Sequence, residues 1–224
     1  MSHKNRLRET RDGTVINKTS ATEEKNVRIA MNRVINTLKE KYPNLLLKYE
    51  SKLYLNEIVK KLCINNPTET FTETMDKTFI SPDAGFLYAK INDEYKLILI
   101  GEVKNQGTND IRLTEGKKKQ AQGNAIERLG KNVIGIKAFL NGELCNPFVC
   151  FGDGCDFSET STIIDRVKTI NYFKPLNVIN INNGLLDNGS FFFRENKWSV
   201  DEMYDIMMEI ALNSLKIFLG ESNE

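Results

Sequence analysis

Histidine is almost missing, with His3 the only one in 224 residues. That removes the side chain most often used as a general base near neutral pH. The four cysteines lack paired zinc spacing. Cys145, Cys150 and Cys155 surround an apolar run and read as buried or partly buried free thiols, which suits a reducing cytoplasm. No apolar stretch approaches the roughly 18 residues of a membrane span. The N-terminal MSHKNRLRETRDG holds no signal-peptide core, so neither membrane insertion nor export is expected. A phosphate-cradling glycine loop, a nucleotide fingerprint, internal repeats and low-complexity tracts are also lacking. What remains is the length of one domain, 40% hydrophobic and 27% charged, enough to bury a substantial core.

A net charge of +1 hides strong segregation. Residues 104–137 hold eight bases against three acids, and residues 1–20 hold five against two. Residues 187–209 run the other way, with two bases and six acids. A neutral protein with such separation can present a phosphate-binding face, although charge runs more often line solvated helices.

Residues 1–22 are polar and basic and read as a flexible arm, ahead of a single domain over 23–224. Val27, Ala30, Met31, Val34, Ile35 and Leu38 recur at helical spacing over 24–41, and Pro43 ends that helix. A second helix fits 53–63, stopped at Asn65-Asn66-Pro67. Residues 79–89 alternate around the turn Pro82-Asp83-Ala84-Gly85, and Asn92-Asp93 turns the chain into the buried strand 95–103, giving an antiparallel pair. The polar stretch 105–116 reads as a loop, and a helix is expected from near Lys117 towards Leu140, with a break at Gly130. A buried strand at 148–151, a helix at 160–172 and short strands at 177–181 and 191–194 follow. Ser199, with Glu202 three positions on, caps a last helix whose stripe runs from Val200 to Leu215 and ends at Gly220. The order predicts an α/β fold, a central mixed sheet flanked by helices.

Glu102 and Lys104 stand two apart near the end of the apolar strand, so they share a face while Val103 points the other way. If the Asp83 segment pairs beside that strand, Asp83 joins them. Two carboxylates can hold a hard divalent cation, and a lysine beside them can orient water and balance charge on a phosphate. As a bare pattern, Pro-Asp followed by Glu-x-Lys is common, and a surface ion pair between Glu102 and Lys104 is the plain alternative. Its placement favours chemistry, because charges at the end of a buried strand cost desolvation unless paired or liganding.

The segments GEVKNQG and QGNAIERLGKN, spanning Glu102, Lys104 and Gly123 to Arg128, resemble the EcoRI family of type II restriction endonucleases. Glu40-Lys41-Tyr42-Pro43-Asn44-Leu45, Ser81 to Gly85, Asp165-Arg166 with Asn171-Tyr172, and Trp198 with the helix to Gly220 match in the same order. The resemblance covers most of residues 30–220. It implies a PD-(D/E)XK restriction-endonuclease-like fold and a homodimer in a bacterial cytoplasm. It also implies Mg²⁺-dependent double-strand cleavage of palindromic DNA, within a system that includes a cognate DNA methyltransferase. By matching position, Asp83 and Glu102 are implied metal ligands and Lys104 the catalytic lysine. Asn124, Glu127 and Arg128 take the family's role of reading an inner AATT. Asparagine suits the N6/N7 edge of adenine and arginine donates to purine N7, while Glu127 can accept an adenine amino proton or hold Arg128. Lys131 and the tract Lys117, Lys118, Lys119 are phosphate-contact candidates.

Two departures bear on the outer base pair. Arg166 matches one recognition arginine, whereas Ile163 stands where the other is expected, and Gln122 precedes GNAIER where family members carry arginine or alanine. Losing one of two guanine-directed donors relaxes guanine to any purine, since N7 is common to both. The expected site is RAATTY, with GAATTC next, cut before the first A to leave 5′ overhangs. The competing classes are a DNA-binding protein on a nuclease fold that no longer cuts, and a repair or junction nuclease.

Overall fold

Asn92 and Asp93 both take positive φ, 50° and 66°, the conformation a two-residue hairpin turn needs. In the computed structural model they join β4 (Gly85–Ile91) to β5 (Glu94–Asn105) as an antiparallel pair. The structure describes residues 13–72, 76–105, 107–119, 123–157, 161, 163, 166, 181–182, 185–186 and 189–220. A register shift between Leu87 and Tyr88 breaks the alternation, so that Ile98 and Leu99 both face the same core.

Around this hairpin lies a five-stranded mixed sheet in the order β1 (Leu47–Glu50), β4, β5, β6 (Phe148–Asp153), β9 (Ser190–Arg194). The β1–β4 and β4–β5 pairs are antiparallel, and β5–β6 and β6–β9 are parallel. Two further two-stranded antiparallel sheets are formed by β2 (Leu53–Tyr54) with β3 (Phe79–Ile80), and by β7 (Ile181–Asn182) with β8 (Leu185–Leu186).

Both faces of the sheet are buried, which is why β5 reads as a continuous apolar run rather than an alternating one. One face packs Leu87, Leu99 and Val103 against Val27, Met31 and Val34 of α1 (Gly13–Lys41). Met203, Met207 and Ala211 of the last helix, α5 (Val200–Leu219), complete that layer, so the methionines belong to the core. The other face packs Phe86, Ile100, Phe148 and Phe191 against α4 (Gly123–Phe139) through Ile126, Leu129, Val133 and Ile136. Ile58 of α2 (Leu55–Asn65) closes it. The α/β reading with helices on both faces is therefore correct. No described helix is long and apolar enough to cross a membrane. Cys145 and Cys150 are buried free thiols and Cys155 is partly buried, as the sequence implied.

Several boundaries differ from expectation. The first helix starts at Gly13, inside the stretch read as an arm. The stretch read as a loop contains α3 (Gly107–Thr114). Its stabilising partners are remote in sequence: Asn109 Nδ2 donates to Asp156 Oδ2 at 2.7 Å, and Asp110 Oδ1 accepts from the Cys155 amide at 2.7 Å. Residues 117–119 are not helical, and α4 begins at Gly123 and runs unbroken through a buried Gly130, whose helix cost is offset by tertiary packing. The helix expected at 160–172 and the strand at 177–181 lie largely outside the described residues; Ile163 and Arg166 are helical.

Candidate active site

The Pro82–Gly85 turn is built for close approach. Gly85 N–H donates to the Pro82 carbonyl at 3.1 Å, and Gly85 has φ +74°, where a side chain is strained. A Cβ there would also sit 2.7 Å from the Glu50 carbonyl oxygen. Ala84 N–H donates to the Gly101 carbonyl at 2.8 Å, stitching the turn to β5 just before Glu102. Arg28 of α1 holds the other side, its Nε donating to the Asp83 carbonyl at 2.8 Å.

Asp83 and Glu102 then bind each other's strand reciprocally. Asp83 N–H donates to Glu102 Oε2 at 3.1 Å, and Val103 N–H donates to Asp83 Oδ2 at 3.1 Å. Lys104 Nζ donates to Glu102 Oε1 and to the Val103 carbonyl at 3.1 Å, and stands 3.5 Å from Asp83 Oδ2. The conditional step of the sequence argument is met: the three groups share one place. Glu102 is only 2% exposed, against side-chain exposures of 21% for Asp83 and 15% for Lys104.

Burial dominates the electrostatics of Glu102, pushing its carboxyl up to about 7 against the opposing pull of Lys104, with Asp83 adding to the rise. For Lys104 burial works downward, but Glu102 and Asp83 outweigh it and hold the ammonium above its ordinary value. Lys104 therefore stays charged, while Glu102 can trade its proton for a cation. Cys150, paired with Glu102 across β5 and β6, is pushed well up by burial and is chemically quiet.

These groups open onto a cleft of about 430 Å³. Arg128, Lys131 and Asn132 of α4 form one wall, and Glu23 and Glu24 of α1 another. The donor set fits a hard divalent ion. Asp83 and Glu102 supply carboxylate oxygen, and Glu23, whose buried Oε2 has no hydrogen-bond partner, lines the same cleft. Among the described residues no three acidic, cysteine or histidine side chains stand close enough to cage an ion. A two-carboxylate site that leaves room for waters is enough for such an ion.

The other sequence candidates separate. Glu127 and Arg128 are exposed on α4, and Arg128 and Lys131 reach the cleft. Asn124 lies in the first turn of that helix, though its side chain is outside the described residues, as is Gln122. Arg166 is exposed, whereas Ile163 is 8% exposed and packed in the core. Of the lysine tract, Lys117 pairs with Glu115 at 2.5 Å. Lys119 lies 3.3 Å from Asp156 and donates to the Cys155 carbonyl at 3.1 Å, while Lys118 is exposed. Sequence reasoning missed Asn132, Glu23 and Arg28. Asn132 follows the GNAIER segment on the same helix, the one signal that could have found it; Glu23 falls just after the stretch read as arm and just before the helix expected over 24–41.

A carboxylate pair with Glu102 buried and Asp83 half-buried, a charged lysine and a basic helix along the cleft make up a site suited to hydrolysing phosphodiesters. Comparison with known proteins agrees. The family model described as restriction endonuclease EcoRI matches residues 10–163 and 158–223. The type II restriction enzyme RsrI of Cereibacter sphaeroides is 27% identical over 230 residues, covering 85% of this chain and 83% of its own. The type II restriction enzyme EcoRI of Escherichia coli is 28% identical over 223 residues, covering 80% and 79%. The chain belongs to the EcoRI family of restriction endonucleases, as its central motifs implied.

Proposed function

We propose that the protein is a type II restriction endonuclease that cuts duplex DNA with Mg²⁺ at a palindrome with an AATT core, RAATTY first and GAATTC next. The observation that carries the reading is the meeting of Asp83, Glu102 and Lys104 in a cleft whose facing wall is the helix of Asn124, Glu127 and Arg128. Asp83 and Glu102 hold the cation. When bound, it withdraws charge from the phosphate and acidifies water. Lys104, kept cationic by its two neighbours, orients the attacking water and balances the charge that grows on the phosphate oxygens. The water gives up a proton to solvent as its oxygen bonds to phosphorus, the P–O3′ bond breaks, and the 3′ oxygen leaves with a proton drawn from solvent. The 5′ phosphate remains, and cutting before the first A yields AATT overhangs.

The position of the helix residues supports the specificity part of this reading. Arg128 is exposed on the helix that lines the cleft, and Lys131 offers a phosphate contact beside it. Lys118 is the member of its tract best placed for a second, because Lys117 and Lys119 already have acidic partners. At the outer pair, Ile163 is committed to the apolar core and cannot donate, which leaves Arg166 as the guanine-directed donor. One donor to N7 accepts either purine, hence R.

The test is digestion of a plasmid of known sequence by purified protein with Mg²⁺, with Glu102→Ala alongside, followed by sequencing of the ends. The expected result is discrete ends beginning AATT flanked by R and Y, lost in the variant. An intact plasmid bound by folded protein would sink cleavage and favour the non-cutting binder; preference for branched DNA would favour a junction nuclease.

A further inference from the structure

Helix α4 touches both halves of the site. Asn132 Nδ2 donates to Glu102 Oε1 at 3.3 Å, the same oxygen that Lys104 reaches. One turn on, a Cβ at Gly135 would overlap Ile80 Cδ1, so the helix backbone lies hard against the side chain of Ile80 on β3. That strand leads directly through Ser81 and Pro82 to Asp83. Positions 132 and 135 share one face of the helix. The glycine thus brings α4 against Ile80, three residues before Asp83, and the asparagine brings it to Glu102.

Glu102 is held from three sides: by the Asp83 amide on Oε2, and by Lys104 and Asn132 on Oε1. Two of these donors belong to the turn and to β5 itself, which are stitched together by the Ala84–Gly101 main-chain bond and by the Val103 amide on Asp83. Asn132 alone comes from the helix that carries Arg128 and Lys131. At 3.3 Å its bond is near the long limit, and a helix displacement of roughly 0.5 Å removes it.

Taking the proposed function as the frame, we infer that Asn132 is a positioning residue that makes the orientation of Glu102 depend on how α4 is seated on DNA. Its role is separate from metal ligation and from base reading. With α4 seated on the cognate sequence, the amide fixes Oε1 and sets the carboxylate for the cation. With α4 out of register on a wrong sequence, the Asn132 bond is lost, Oε1 is left to Lys104 alone and the cut is not made. Discrimination at the cutting step then exceeds discrimination at binding.

The experiment compares wild type, Asn132→Ala and Asn132→Gln as full chains, on a duplex containing the cleaved site and on one with a single inner base pair changed. Metal-free DNA affinity, single-turnover cleavage and the Mg²⁺ concentration for half-maximal rate are read for each. Asn132→Ala is expected to cut the cognate site at least about tenfold more slowly and to need more Mg²⁺, while metal-free affinity changes less than about twofold. The gap in cutting between cognate and altered sites narrows, and Asn132→Gln, which keeps the amide donor, recovers part of the rate. Should the alanine variant fail to fold, the glutamine variant decides: its cutting gap must be narrower than wild type's at unchanged affinity. Wild-type cutting by Asn132→Ala, or loss of affinity and rate together, overturns the inference while leaving the proposed function standing. A wild-type chain that never cuts overturns both.

Discussion

Glu102 is the most constrained side chain of the site. A carboxylate that is 2% exposed has lost its water, and burial raises its carboxyl to about 7 even with a lysine in contact. The folded value lies above the unfolded one, so below about pH 7 a proton occupies the oxygens a cation needs, and above it they are open. The Mg²⁺ concentration for half-maximal cleavage should therefore fall up to about tenfold per pH unit below 7 and level off above it. Cleavage titrated with Mg²⁺ between about pH 6 and about pH 8.5 checks this, and a pH-independent half-point would refute it. Glu102 and Lys104 were legible in the sequence because alternation on a strand fixes their shared face. Asp83 needed the further condition that its turn pair beside β5, and the Ala84–Gly101 bond meets it. Asn132 and Glu23 were not legible: as isolated polar letters they look solvated, and only long-range placement, Asn132 against Glu102 and Glu23 along the cleft, gives them a role.

The last helix illustrates what an element's sequence does and does not reveal. Ser199 and Glu202 form the capping box that their spacing announced, and Gly220 ends α5 in the left-handed conformation. Unannounced is the anchor built on the same glutamate. Arg194 of β9 grips both Glu202 oxygens at 2.7 Å, its guanidinium lies 3.6 Å from the Trp198 ring centroid, and Trp198 Nε1 donates to the Gly152 carbonyl of β6 at 3.0 Å. The Arg194 bonds, with those of Ser199, hold the Glu202 carboxyl down at about 2. A depressed folded value means the stabilisation is complete above about 4.5 and fades as pH falls towards about 2. Glu202 is 44% exposed, so solvent screens much of the ion pair, and Glu202→Ala should cost only about 1 kcal/mol at neutral pH. Denaturant unfolding of the two proteins should converge as the pH is lowered through that window; a constant gap would show that packing, not charge, carries the loss. α3 marks the opposite limit. It is short and polar, and its bonds reach Asp156 and Cys155, so no local pattern distinguished it from a loop.

At the scale of the whole molecule, each chain of 25.6 kDa contains one Asp83–Glu102–Lys104 group, while a double-strand cut breaks two phosphodiester bonds of opposite polarity. One site cannot face both scissile phosphates of a palindrome in the same pose, whereas two copies related by a two-fold axis can. The active species should therefore be a homodimer in which each copy cuts one strand. Sedimentation of the purified protein on its own measures the first half of that claim, with about twice the chain mass expected. Mixed dimers measure the second. Wild type and Glu102→Ala, carrying different affinity tags and co-expressed, give a doubly purified heterodimer with one intact site. On a supercoiled plasmid with a single recognition site it should accumulate open circles, because one strand is broken and the other is not, whereas wild type goes on to linear product. Linear product formed by the heterodimer at the wild-type rate would mean that one copy visits both strands, and the two-fold argument would fail at the step of chemistry. A heterodimer that cuts neither strand would mean that the two sites act only together, with cation binding at one Glu102 setting the other.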